Sequence, residues 1–347
     1  MNKVLLISTF CLFGWFQATA QYTAEENSYI DSLSVALEDA KDDTTKCHLL
    51  AALAEILYIS DLDTLTPISK EIIEICERNL ISNNLSKREE YTFKSQKAGA
   101  VNNLAYVLGE AGNMSESMSM FIECQQLQEE IGDKKGLAST LNNIGFALEH
   151  EGKLLLALEY YQRSLTLREE VNDQLGTGIA LSNIGSIYDR MNNIPRALEF
   201  YNKALVLQKK IDDKVGVALA FDNIGSIYST VEKNLDKAKL YLDSSIVIQR
   251  EIGDQVGVGR TMSHLAQIFE EEGQLDSAEI YLKYVLDLYR EVPYMLGVGN
   301  ALVYSAGIAV KKGNLRKAET QASEAMDLGY HLNNPEVVRD AAAMLTN

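Results

Sequence analysis

Residues 137–216 carry one pattern twice at an offset of 40, and this repetition is the strongest constraint on how the chain can fold. Leu141-Asn142-Asn143-Ile144-Gly145 is answered by Leu181-Ser182-Asn183-Ile184-Gly185, and Ala157-Leu158-Glu159-Tyr160-Tyr161 by Ala197-Leu198-Glu199-Phe200-Tyr201. Asn172-Asp173 and Gly176 return as Asp212-Asp213 and Gly216. A fixed period of this length marks stacked supersecondary units, each burying a face that it cannot bury alone.

The period extends well beyond the doubled stretch. Six units follow one another at 97–136, 137–176, 177–216, 217–257, 258–297 and 298–337. The one extra residue falls in Glu232-Lys233-Asn234, at a turn, where an insertion is cheap. A divergent helical pair at 44–96 precedes them, with Pro67 read as an early position of its second helix after a turn at Asp61–Thr66. Residues 21–43 space Tyr29, Ile30, Leu33, Val35, Ala36, Leu37 and Ala40 as an amphipathic capping helix. Residues 338–347 open a further, incomplete unit, so the chain is expected to be the N-terminal part of a longer protein.

Each unit reads as two helices. Gly112, Gly152, Asn192-Asn193, Asn234, Gly273 and Gly313 mark the turn within a unit, since Gly and Asn tolerate the left-handed conformation that ends a helix. Asp133, Asp173, Asp213 and Asp254 stand where they can cap the next unit's first helix, whereas Val292-Pro293-Tyr294 predicts a different exit turn. Small residues recur mid-way along the first helix (Ala105, Gly145, Gly185, Gly225, Ala266, Ala306) and face Ala157, Ala197, Ala238, Ala278 and Ala318 on the second. Gly inside a helix costs up to ~1 kcal/mol relative to Ala, so its recurrence predicts a close approach between helices. Tyr188, Tyr228, Phe269, Tyr161 and Tyr201 are read as core filling.

The set Ile184-Gly185, Tyr188, Ala197, Tyr201 and Ala204 resembles the tetratricopeptide repeat (TPR), in a 40-residue variant similar to that of kinesin light chains and G-protein-regulator scaffolds. The resemblance covers roughly 44–347, although the family's Trp is missing and its terminal Pro is absent from most units. It implies an all-α fold, a right-handed α-solenoid of stacked antiparallel helical hairpins forming a TPR superhelix. It also implies that first helices line a concave, ligand-binding face.

One polar register repeats on the first helices, at Asn103, Asn143, Asn183 and Asn223, two residues before the small packing residue. An Asn amide offers two donors and a double acceptor, which suits the main chain of an extended peptide. The resemblance implies this groove-lining role. The alternative is that these side chains bond to neighbouring helices and hold the stack together. His264 and Tyr304 occupy the register next, so the later units are expected to make a different contact.

Composition restricts the partners. A formal net charge of −17 argues against nucleic acid and against an anionic membrane surface as partners of the repeats. Lys3, the apolar run Val4–Phe16 and Ala18-Thr19-Ala20 have the layout of a signal peptide at 1–20, with cleavage before Gln21 and export to the periplasmic or extracellular side. Beyond Cys11 lie Cys47, Cys76 and Cys124, an odd number without framework spacing. Cys47 and Cys76 fall on facing helices of one hairpin, so either one bridge forms there or all three are small buried residues.

Nothing in the chain reads as catalytic or cofactor-binding. His48, His150, His264 and His331 form no metal-ligand pair, and no phosphate loop, nucleophile elbow or Cys-x-x-Cys occurs. The expectation is an exported scaffold, not an enzyme, that binds a protein or peptide without cofactor or metal. The alternative is the extracytoplasmic sensor region of a longer signalling protein, such as a histidine kinase, cyclase or transcriptional regulator, with a membrane anchor downstream.

Overall fold

The computed structural model describes residues 24–57, 62–82, 84–292, 294–332 and 334–345. The leader at 1–20, the start of the capping segment, Tyr58, Asp61, Pro293 and the last two residues lie outside them. Among the described residues there are sixteen helices and no strand. The chain divides into two compact units, the first ending at Ala180 and the second beginning at Leu181.

The first unit holds α1 (Ala24–Asp39), α2 (Asp43–Leu57), α3 (Leu62–Leu80), α4 (Lys87–Glu110), α5 (Met114–Ile131), α6 (Lys134–His150), α7 (Leu154–Glu170) and the start of α8 (Gln174–Arg190). From α2 onward consecutive helices pair as antiparallel hairpins, and the first helices α4 and α6 also touch each other. Only one stripe of α1 is used: Ile30 and Leu33 are buried with Leu50, Leu53, Ile72 and Phe93, whereas Tyr29 and Val35 are exposed.

Two boundaries depart from the sequence reading. Helix α3 starts at Leu62, not after a turn ending at Thr66, so Pro67 lies inside it and removes one main-chain donor. The Thr66 hydroxyl, one residue earlier, donates back to the Leu62 carbonyl at 3.2 Å. Helix α4 begins ten residues before Lys97. A capping box starts it there: Ser86 Oγ accepts from Glu89 N at 3.2 Å and Glu89 Oε2 from Ser86 N at 2.8 Å.

The second unit holds the rest of α8, then α9 (Ile194–Lys210), α10 (Lys214–Thr230), α11 (Leu235–Glu251), α12 (Gln255–Glu271), α13 (Leu275–Glu291), α14 (Met295–Lys311), α15 (Leu315–His331) and α16 (Pro335–Leu345). Its hairpins pair in the same antiparallel way, and α10 and α12 meet as successive first helices. In the longer turn, Lys233 rather than Asn234 takes the left-handed conformation (φ 51). This frees Asn234 to cap α11 by accepting from Lys237 N at 3.1 Å. Asn334 caps α16, and Val337 and Ala341 are buried against the core of α13–α15.

The repeating glycines have a clear physical cause. A Cβ on Gly145 would lie 2.8 Å from Cδ1 of Tyr161, and one on Gly185 would lie 2.8 Å from Cδ1 of Tyr201. The close approach is therefore of the first-helix backbone onto an aromatic ring, not onto the facing alanine. Both rings are buried, and the Tyr161 hydroxyl donates to Glu149 Oε2 at 3.0 Å. On the second unit, Tyr188 stacks on Phe200 at 5.5 Å and Tyr228 on Tyr241 at 5.6 Å between ring centroids.

Polar groups inside the stack follow the same period. Asp133, Asp173, Asp213 and Asp254 each accept from the N–H of the Gly three residues on, at 2.7–3.0 Å. Gln128, Arg168, Gln208 and Gln249 are buried at one register of the second helices. Arg168 donates to Asp173 Oδ2 at 2.8 Å, and burial lowers its pKa against that pairing. Ser164 and Ser245 donate to the carbonyls of Ala138 and Ala218. Cys124 holds the same register and donates its thiol to the Ala98 carbonyl at 3.0 Å.

Gly185→Ala is expected to destabilise the chain by about 1–3 kcal/mol, because the Tyr201 ring has no room to yield to a methyl group. Gly99→Ala, where nothing lies within 4 Å, is expected to be neutral or stabilising by up to ~1 kcal/mol. Urea denaturation followed by circular dichroism measures both; equal effects contradict the ring-contact explanation.

Candidate functional site

The four asparagines of the first-helix register are all half-buried. In the first unit, Asn143 donates its Nδ2 to Asn102 Oδ1 at 3.2 Å, across from α6 to α4. The Thr140 hydroxyl donates to the same oxygen at 3.2 Å. The same side chain lines a cleft of about 180 Å³ with Tyr106, Phe121, Phe146 and His150. Phe146 is 39% exposed and meets His150 edge-on at 4.3 Å, so the cleft offers aromatic surface beside an amide. Asn143 thus takes part in both arrangements that the sequence left open, a lateral bond within the stack and an open wall.

In the second unit the register holds Asn183, Asn223, His264 and Tyr304. Among the described residues neither Asn103 nor Asn223 makes a side-chain hydrogen bond, whereas Asn183 is engaged. His264 repeats the lateral contact of Asn143, with Nδ1 3.2 Å from Asp222 Oδ1 on the preceding first helix. Asp222 stands at the register of Asn102, and Arg260 Nε lies 3.5 Å from its other oxygen. A neutral amide pair in the first unit is replaced here by a carboxylate with two basic partners.

Asp222 is buried, 4% of its side chain remaining exposed. Burial pushes its pKa up, but the hydrogen bond from His264 and the charges of His264 and Arg260 outweigh this and hold it below the ordinary value. Sequence reading passed over this residue, because an acid on an acidic chain stands out only when its burial is known. The available signal was its register: Asn102, Asn142, Ser182 and Ser263 are uncharged there.

A cleft of about 330 Å³ opens beside this cluster, lined by Arg260, Ser263, His264 and Gln267 of α12, and by Asn300 and Tyr304 of α14. Tyr289 and Tyr294 supply an aromatic wall, their rings meeting edge-on at 5.2 Å and 84°. These two stand at the registers of Gln249 and Asp254, so the polar cap used elsewhere is here exchanged for two rings. Of the exit turn expected at Val292-Pro293-Tyr294, Pro293 lies outside the described residues; Tyr294 is the N-cap of α14 without a side-chain bond, and its ring lies where a Cβ on Gly297 would go. Burial raises the Tyr289 phenol to about 12. The Tyr304 phenol is also raised, by burial and by its 2.6 Å bond to Glu270 Oε2, so both phenols act as neutral donors.

The cleft therefore gathers several positions at which the chain leaves its own repeat: His264, Tyr289, Tyr294 and Tyr304 line it, and Asp222 pairs with its His264 and Arg260. It has donors and acceptors, the basic side chains of Arg260 and His264 and flat aromatic surface. Among the described residues, no cluster of His, Cys, Asp and Glu could hold a metal ion, and no helix is long and apolar enough to cross a membrane.

Asp222→Asn tests the electrostatics. A carboxyl whose folded-state pKa is depressed contributes stability above its unfolded value near 3.8, and this is lost as pH falls through the lower folded value. The stability difference between the wild-type chain and Asp222→Asn is expected to be full at pH 6 and to shrink below about pH 3.9. Urea midpoints across this range measure it, and a pH-independent difference contradicts the assigned charge state.

Residues 136–210 match the tetratricopeptide repeat family model. A sequence comparison with curated proteins finds no match. Similar solved structures include the apo form of the quorum sensor NprR from B. thuringiensis, with TM-score 0.57, 14% identity and coverage of 92% of this chain and 93% of that one. NprR in complex with its cognate peptide NprX has TM-score 0.57 and 15% identity, over 82% of this chain and 80% of that one. A Signal Transduction ATPase with Numerous Domains protein from Pyrococcus horikoshii, with a tetratricopeptide repeat sensor, has TM-score 0.58 and 15% identity. There the match takes in 93% of this chain but only 50% of the other.

Proposed function

We propose that this chain, a tetratricopeptide-repeat protein, is an exported scaffold that binds an extended peptide or partner segment on the faces of its first helices. The carrying observation is the cleft of the second unit, where several departures from the repeat meet on one open, polar and aromatic surface. A repeat array needs only its period to fold, so residues that break the period without loosening the core are available for a ligand. In this reading the register asparagines of each unit, Asn103 and Asn143 in the first and Asn183 and Asn223 in the second, are the groups that meet peptide main chain, while within the second unit Arg260, His264 and Asn300 select among side chains. The leader layout of residues 1–20 supports export, and a mature N-terminus at Gln21, read by mass spectrometry of the protein recovered from cells, tests that part.

The complex of NprR with its cognate peptide NprX supports the class of ligand, since a protein of similar fold binds a peptide. A second reading, the sensor region of a longer signalling protein, is favoured by the Pyrococcus protein, in which the matched portion is half of a multidomain chain. The coding sequence beyond residue 347 decides it.

Peptides selected from a displayed random library against the chain provide the binding test. The triple change Asn143→Ala, Asn183→Ala, Asn223→Ala is expected to weaken a selected peptide at least tenfold, each lost hydrogen bond contributing about 1 kcal/mol, with helical circular dichroism retained. Arg260→Ala is expected to change which peptides are selected. Unchanged affinity and unchanged selection in both variants refute the reading.

A further inference from the structure

We propose that Cys47 and Cys76 are a cross-linking site: in an oxidising compartment they close into one intrachain disulfide, and Cys124 stays a thiol. The two sulfurs lie 3.8 Å apart in the core between α2 and α3, each fully buried. A disulfide needs a separation of about 2.05 Å, so the sulfurs must approach by roughly 1.7 Å to bond. The helices are already held in register around them. Asp43 accepts from Arg78 at 2.8 Å and from Asn79 at 2.6 Å, and Lys46 pairs with Glu71 at 3.3 Å. These contacts join the residues just before Cys47 to residues on either side of Cys76.

Cys124 has a different role. It sits in a separate cluster with Ala98 and Val101, and its sulfur is 3.1 Å from the Thr140 hydroxyl while it donates to the Ala98 carbonyl. It stands where Ser164 and Ser245 make the same main-chain bond, which accounts for a small polarisable donor there. Burial raises its thiol to about 12, so it is a poor nucleophile. The hydrogen bond from Cys76 instead lowers the pKa of Cys47, while that same pairing, with burial, raises Cys76.

The oxidant is a disulfide, either a small molecule such as glutathione disulfide or a protein of the thiol–disulfide exchange class. The Cys47 thiolate attacks one sulfur of the oxidant, breaking its S–S bond and releasing one thiolate. Cys76 gives its proton to a released thiolate and attacks the Cys47 sulfur, expelling the second. Two cysteine thiols and one oxidant disulfide thus become one intrachain disulfide and two oxidant thiols. Exchange occurs before α2 and α3 close on their core, or during local opening of that hairpin. The bond shuts a loop between α2 and α3 and so restricts the unfolded chain.

Formation in the cell rests on the export reading, so the test separates the two. The full chain carrying Cys11→Ser is purified reduced, equilibrated with glutathione disulfide, denatured, alkylated and mapped by mass spectrometry. One alkylated thiol, at Cys124, and a peptide pair joined through Cys47 and Cys76 are expected, with a higher urea midpoint than the reduced chain. Cys76→Ala is expected to show no redox-dependent shift. Three alkylated thiols, a lasting glutathione adduct on Cys47 or Cys76, or a bond to Cys124 overturns the proposal. A chain that closes in the tube but is recovered from cells with both thiols free leaves the site standing and refutes residence in an oxidising compartment.

Discussion

The contact of a first-helix backbone with a second-helix ring sets the geometry of the repeats around it. Where Gly145 meets Tyr161 and Gly185 meets Tyr201, the absence of a Cβ lets a large flat side chain lie directly on the helix. That single contact sets the spacing of the hairpin and buries a ring fully. Gly225 uses Leu242 in the same way, and its Cβ would also come within 3.3 Å of the Ala238 carbonyl. A Gly in a helix is locally unfavourable, and the packing that it permits outweighs that cost.

Once the hairpins are fixed at this spacing, the polar groups of the stack become predictable. The half-buried Asp caps, the buried second-helix Gln and Arg residues and the Ser-to-carbonyl bonds recur because each hairpin presents the same orphan groups. Cys124 belongs to this system as a stand-in for serine, whereas Cys47 and Cys76 belong to the divergent first hairpin and its own core. The three cysteines, alike in the sequence, therefore have two different roles.

Regularity also makes exceptions readable. In the second unit the cap of α14 is built from Tyr294 instead of Asp, the partner register carries Tyr289 instead of Gln, and the amide register carries His264 and Tyr304. None of these breaks the core: Tyr289 remains buried, and Leu302, Val298 and Ala325 pack normally around it. The exceptions converge on one cleft because neighbouring first helices bring residues about 40 apart to the same surface.

The sequence alone determined the period, the pairing of helices, the turn chemistry apart from Lys233, and the capping Asp residues, because these depend on contacts within a unit or between adjacent units. It also singled out the amide register from Asn103 to Asn223. It misplaced the starts of α3 and α4, where a proline tolerated inside a helix and a capping box outside the period govern the boundary. It could not tell that Asn143 and His264 reach laterally to Asn102 and Asp222, nor that Asp222 is buried with two basic partners. Those facts depend on which faces of successive first helices turn toward each other. Burial and hydrogen-bond partners are properties of that packing, so only the tertiary structure decides them.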